Sequence, residues 1–173
     1  KSQTRKGGEV IKVGLPDALN HLAVDAQPSP LNQSAMFWSW TSGYRFLRIE
    51  GVDAMSRALP GGLLHLGSTA CTPIDAADLT KGATCANRNL IDVTLHDFDV
   101  ETNSVVVDLG TLFRDSDLAV NTGGATGCMS GVTDPECPAF FKKLGLPYGE
   151  GFQPDGGFTM VQPDAGQTLF TKE

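Results

Sequence analysis

The side chains best suited to hold a metal are few: three histidines, His21, His65 and His96, stand beside four cysteines and four methionines. Neutral imidazole is the commonest protein ligand to metals, so a nitrogen-ligated centre must draw on those three. His21 falls in a loop just after a strand pattern. His65 sits in a short apolar run, Leu63 to Leu66, ahead of Gly-Ser-Thr, and His96 lies on the polar side of an alternating segment, the weakest of the three positions. A single histidine is more often a surface group or a hydrogen-bonded core member, so residue type nominates these positions without choosing among them. Thioether sulfur suits copper, which brings in Met36 and Met55, although Met36 stands in a hydrophobic run where methionine ordinarily fills gaps. Trp38 and Trp40 are the only tryptophans. In an extended segment their i, i+2 spacing puts both indoles on one face, where two core aromatics are the plain reading.

The cysteines fall as two local pairs, Cys71 with Cys85 and Cys128 with Cys137, in loops rich in Thr, Asp, Gly and Pro. Two structural disulfides are the simplest account and imply an oxidising compartment. A four-thiolate zinc site is the competitor, but its ligands ordinarily stand about two to four residues apart, a spacing neither pair has. Asp75 and Asp78, Asp97 and Asp99, and Asp115 and Asp117 offer oxygen to calcium, though none matches an EF-hand loop. Nucleophilic catalysis lacks a Gly-x-Ser-x-Gly elbow, and no GxGxxG or Walker pattern supports nucleotide chemistry. A formal charge of −7 repels phosphate backbones, so nucleic acid is a poor partner. No run approaches the roughly 18 apolar residues of a membrane-spanning helix.

The elements that must position these groups read mostly as β. Glu9 to Gly14 is a strand; Tyr44 to Glu50 has apolar side chains on both faces and is expected as an interior strand. Pro60-Gly61-Gly62 is expected to turn the chain into a short strand, Leu63 to Leu66. Alternation from Leu90 to Phe98 marks a half-buried strand. Ser104 to Leu109 adds another, and Leu109 to Leu118 holds a short helix. Pro138, the stripe Phe140, Phe141, Leu144 and the stop at Gly145 mark a second helix, and Gln167 to Thr171 is a closing strand. The expected fold is one domain over residues 1–173, mostly β and sandwich-like rather than barrel-like, with short helices and two disulfides. The opening Lys-Ser-Gln-Thr-Arg-Lys-Gly-Gly has neither an initiating Met nor the apolar core of a signal peptide, as a processed or internal start would.

Several strings in order carry more information than composition: Asn20-His21-Leu22, Ser29-Pro30-Leu31-Asn32, Met36-Phe37-Trp38-Ser39-Trp40, Gly43 to Glu50 (GYRFLRIE), His65 to Cys71 (HLGSTAC), Gly127-Cys128-Met129-Ser130 and Asp134-Pro135-Glu136-Cys137. Together they resemble the MbnP family, the metallo-mystery-pair proteins with a four-Cys motif, to which surface copper proteins of methane-oxidising bacteria are similar. The resemblance runs from about Asn20 to Leu146. It implies a periplasmic, surface-exposed or secreted bacterial protein; turnover of its own is not expected, because the sequence supplies no identifiable acid, base or substrate pocket. It also implies copper, as Cu(I), held by two histidines and a kynurenine made from tryptophan, and a partner, a dihaem enzyme of the cytochrome c peroxidase type, that performs the oxidation. His21 and His65 fall on the motif histidines; Trp38 and Trp40 both fall on the motif, with Trp40 slightly preferred as the oxidised one. Family members carry a long further segment, with additional strands, before the position matching Glu9. The chain is therefore expected to be the C-terminal part of a longer domain, with sheet edges exposed in its absence. A rival reading is an exported adhesion or carbohydrate-binding module in which Trp38, Trp40 and Tyr44 form a stacking surface.

Overall fold

The computed structural model describes residues 9–20, 33–39, 43–72, 84–153, 155 and 157–173. A long antiparallel hairpin organises the molecule. Strand β3 (Gly43–Val52) lies between the short β2 (Phe37–Ser39) and β4 (Ala58–Gly67) in a three-stranded sheet; β2 pairs with it only at Gly43 and Tyr44, so Tyr44 to Glu50, expected as an interior strand, pairs mainly with β4 among the described strands. Its mixed apolar pattern has a specific cause. Arg45 pairs with Gly67 and Leu47 with Leu66, which leaves Phe46 as an extra residue, a β-bulge that shifts the alternation by one. Phe46, Leu47 and Ile49 all pack against the core as a result.

The Pro60-Gly61-Gly62 turn is not observed, and the strand it was to introduce is longer than Leu63 to Leu66. The chain reverses instead at 53–57, where the Asp53 carboxylate accepts the Met55 and Arg57 amides at 2.8 and 2.9 Å, the Asx chemistry that shapes tight turns. Pro60, Gly61 and Gly62 lie inside β4 at a wide irregularity: Glu50 faces Leu63 and Val52 faces Ala58, so Gly51 alone stands opposite residues 59–62. Proline is tolerated at such a break because no ladder bond is asked of it. Gly61 is there for close approach: its amide donates to Leu118 O at 3.2 Å, and a Cβ on it would lie 1.9 Å from Asp117 O.

The other described strands form two-stranded antiparallel sheets. β1 (Glu9–Val13) pairs with β7 (Ile91–Leu95), β5 (Thr69–Cys71) with β6 (Cys85–Asn87), β8 (Val105–Val107) with β11 (Phe170–Lys172), and β9 (Tyr148–Glu150) with β10 (Thr159–Val161). In β7 Ile91, Val93 and Leu95 are buried while Asp92 and Thr94 are exposed, the expected alternation. Short helices complete the mostly β fold. α1 spans Asp17–Asn20, α2 (Leu109–Phe113) is capped by Asp108, and α3 (Cys137–Leu144) ends at Gly145 with φ 68°. Phe140, Phe141 and Leu144 of α3 meet Leu64 and Leu66 of β4 and the apolar face of β7 in one core. Full burial of each such side chain is worth about 1.5–3 kcal/mol.

Both expected disulfides are present and no free cysteine remains, which removes the four-thiolate zinc alternative. Cys71 and Cys85 face each other across β5 and β6. No described helix is long and apolar enough to cross a membrane.

Candidate metal centre

The period of β4 determines where His65 points. Leu64 and Leu66 enter the core, so His65 and Gly67 face the opposite side of the strand, and that side is also covered: His65 is only 7% exposed. Arg48 pairs with His65 and Glu50 with Leu63, and the bulge at Phe46 turns Arg45 to the same side. Four charged or titratable groups converge there. His65 Nε2 and Glu50 Oε1 are 2.6 Å apart, and Arg45 Nη1 donates to His65 Nδ1 at 3.2 Å. Arg48 grips both Glu50 oxygens, at 2.7 and 2.8 Å.

Because a guanidinium has no acceptor, Nδ1 must carry a lone pair and Nε2 the proton. His65 is therefore a neutral imidazole that donates to a carboxylate. Burial, aided by the nearby positive charge of Arg45, pushes its pKa below the ordinary histidine value against the opposing pull of Glu50. The Arg48 hydrogen bond, assisted by His65, holds Glu50 below the usual carboxylate range. Imidazole in this tautomer, with a carboxylate behind it, is the arrangement that orients metal-binding histidines.

The backbone that carries His65 is fixed from a distance by residues 127–130. Cys128 N donates to Leu63 O and His65 N to Cys128 O, both at 2.9 Å, a parallel bridge beside Leu64. Gly127, at φ 71°, permits the approach, since a Cβ there would lie 2.5 Å from Leu63 Cβ. The fully buried Ser130 then spans the ladder: its hydroxyl donates to His65 O at 2.6 Å and accepts from Gly67 N at 2.8 Å. Asn89 donates to Gly67 O and Ser130 O. The Cys128–Cys137 disulfide ties this loop to α3, and Asp134 accepts the Met129 amide at 2.8 Å. Burial pushes the Asp134 carboxyl up to about 6, with neighbouring Glu136 adding to the rise.

Trp38 reaches the same face. Its Cη2 would lie 3.3 Å from a Cβ on Gly67, two residues beyond His65, so the glycine leaves room for the indole. The Trp38 Nε1 is buried without a hydrogen-bond partner among the described residues, an uncommon state for an indole N–H. Arg45 links the two elements, because its Nη2 donates to Ala35 O at 2.6 Å and Phe37 O at 2.9 Å around the start of β2. His21 and Trp40 lie outside the described residues. Asn20, which precedes His21, is fully buried and accepts the Tyr44 amide at 3.2 Å.

The remaining candidates stand elsewhere or have other roles. His96 is an exposed turn residue after β7. Met55 is 68% exposed at the hairpin tip, while Met36 is half-buried at the end of a short 3₁₀ turn. Tyr44 is buried edge-on against Phe37, ring centroids 4.9 Å apart, which removes it from an exposed stacking surface. Asp75 and Asp78 lie outside the described residues. Asp99 and Asp117 accept amides of their own turns, and Asp115 pairs with Lys143. Among the described residues no three His, Cys, Asp or Glu side chains converge on a cation position. Within them His65 is the one donor that fits a metal, by burial, neutrality and carboxylate backing. Arg45, Glu50 and Ser130 were read in the sequence only within family strings and not as site residues; the available signal was three charged residues, Arg45, Arg48 and Glu50, in an otherwise apolar strand.

Curated protein sequences gave no match. Among solved structures, MbnP from Methylosinus trichosporium is similar, with 33% identity and a TM-score of 0.70 over 96% of this chain. The alignment takes in 62% of that protein, so the chain spans less than two thirds of its length. The MbnP family profile matches residues 9–130, a range that includes both motif histidines, both tryptophans and the Gly127 to Ser130 loop. On these grounds the chain belongs to the MbnP family.

Proposed function

We propose that this protein binds copper as Cu(I) outside the cytoplasm, for acquisition or handling rather than turnover. The ligands in this reading are His21, His65 and a kynurenine derived from Trp40 or Trp38. The observation that carries it is the His65 site: a buried, neutral imidazole, oriented by Glu50, on the sheet face that Trp38 also covers. Neutral imidazole suits Cu(I), which accepts two or three ligands. Ring opening of a tryptophan to kynurenine supplies an aniline nitrogen and carbonyl oxygens where there was only an indole. The Trp38 N–H, without a partner among the described residues, makes that indole a poorly satisfied neighbour of the site. The two disulfides support an oxidising compartment. The tryptophan oxidation is assigned to a separate dihaem, peroxidase-like enzyme, in keeping with family membership.

Intact mass with metal analysis of the isolated protein tests this reading, because conversion of one tryptophan changes the mass and copper is directly countable. His21→Ala and His65→Ala each abolish tight Cu(I) uptake in this reading, while His96→Ala leaves it unchanged. Protein with unmodified tryptophans binds weakly despite correct folding. Full affinity in His65→Ala would refute the proposal.

A further inference from the structure

The guanidinium of Arg45 stands where a second donor atom of His65 would otherwise be open. Among the described residues each ring nitrogen has one partner: Glu50 takes the Nε2 proton at 2.6 Å, and Arg45 occupies the Nδ1 lone pair at 3.2 Å. Of the two nitrogens, Nδ1 alone has a lone pair to give without a proton being lost. Its current occupant is a cation that is anchored independently. Arg45 Nη2 is held by Ala35 O and Phe37 O, so Nη1 can leave the ring while the rest of the side chain stays hooked to the entry of β2. The Arg45 Nε is buried and has no partner among the described residues, so part of this guanidinium is already poorly satisfied.

We infer that Arg45 is a positioning residue that fills the Nδ1 side of His65 in the metal-free protein, holds the Nε2–H tautomer ready, and is displaced when a metal takes Nδ1. The inference rests on the copper reading given above and adds the binding atom and its competitor. Displacement opposes binding twice, through the hydrogen bond that must break and through the positive charge left near the ion. Removing Arg45 therefore strengthens metal binding, the reverse of what loss of a structural contact would do. A charge-assisted hydrogen bond of this kind corresponds to about a ten- to hundredfold change in affinity.

The test begins without metal. In protein labelled with ¹⁵N-histidine, with the His65 signal assigned from its loss in His65→Gln, long-range proton–nitrogen spectra give the tautomer; the expected result is a protonated Nε2 and a bare Nδ1. Cu(I) titration against a chromophoric chelator is then run on wild type, Arg45→Gln and Arg45→Met, all produced in the same way and with intact masses recorded. Tighter binding in the Arg45 variants, with copper perturbing Nδ1, supports the inference. An Nδ1–H tautomer, copper perturbing Nε2, or unchanged or weaker binding in the variants overturns it. If neither variant folds, the wild-type tautomer and the nitrogen perturbed by copper decide. Copper bound by wild type and lost in His65→Gln, without tightening in the Arg45 variants, sinks the role of Arg45 alone. No copper uptake by any form refutes the copper reading and the inference with it.

Discussion

Replacing Ser130 with Ala should destabilise the protein far more than the loss of one small polar group suggests. Its hydroxyl satisfies two backbone groups at once, donating to His65 O and accepting from Gly67 N, at a fully buried position. Alanine leaves a carbonyl and an amide without those bonds at a fully buried position. Each unsatisfied buried group costs about 1–3 kcal/mol, so the pair amounts to about 2–4 kcal/mol with some relaxation. A second substitution separates hydroxyl from backbone. Ser130 has φ 67°, a conformation glycine adopts without the penalty of about 1 kcal/mol that a Cβ brings. Ser130→Gly should therefore lose the same hydrogen bonds yet be about 1 kcal/mol more stable than Ser130→Ala. Urea unfolding of the three proteins, followed by tryptophan fluorescence and far-ultraviolet circular dichroism, measures both differences. A loss under about 1 kcal/mol in the alanine variant would refute the claim that Ser130 holds the His65 strand, and alanine as stable as glycine would refute the backbone part.

Other perturbations read different parts of the structure. Burial depresses the His65 pKa, so the unfolded state binds more protons as pH falls through its ordinary value near about 6.5. The stability contributed by neutral His65 is present above that value and lost on going down through the folded pKa. Asp134, pushed up to about 6, acts in the opposite sense, its contribution being lost as pH rises through about 6. The His65 effect is isolated by subtracting melting profiles of His65→Gln, in which the loss of stability below about pH 6.5 should be smaller; parallel profiles would contradict it. Replacing both Cys128 and Cys137 with serine should cost about 3 kcal/mol from the chain entropy of so short a loop, and should raise amide exchange at Leu64 to Gly67, which the Cys128 bridge holds; unchanged exchange would count against that coupling. Gly61→Ala should destabilise by at least about 1–3 kcal/mol, since the new methyl meets the backbone of Asp117, whereas Gly166→Ala, with open space around it, should be neutral or slightly stabilising in the same thermal melts.

What was legible in the sequence was local. α3 could be read because its start, apolar stripe and glycine stop lie within nine residues, from Cys137 to Gly145, and β7 because alternation is visible without a partner. The hairpin turn was misread because glycine serves two ends. At Pro60-Gly61-Gly62 it allows residues 117–120 to pass close by, a requirement set by a segment far away in sequence, while Asp53 supplies the turn. β5, β6, β9 and β10 are three residues each, too short for a period to show. The pairing of Cys71 with Cys85 marked where two of them meet, but only the bridge was read from it.

The site divides along the same line. His65 and Trp38 were nominated by residue type, and the Gly127 to Ser130 string was noticed only as part of a family pattern. Its physical meaning is backbone support: a positive-φ glycine that lets two strands touch, a bridge at Cys128, and a hydroxyl that closes the ladder behind His65. Arg45 was hidden by the bulge at Phe46, while Glu50 shares the face of Arg48 with or without it. In a regular strand Arg45 and Arg48, three residues apart, would face opposite sides; one extra residue puts both on the side of His65. The apolar residues found on both faces of Tyr44 to Glu50 were the trace of that bulge, read in the sequence as two-sided burial. Charged residues in such a strand are thus informative in pairs: where two of them break the alternation, a bulge that brings them together is the geometry to look for, and the histidine on the neighbouring strand is the group they serve.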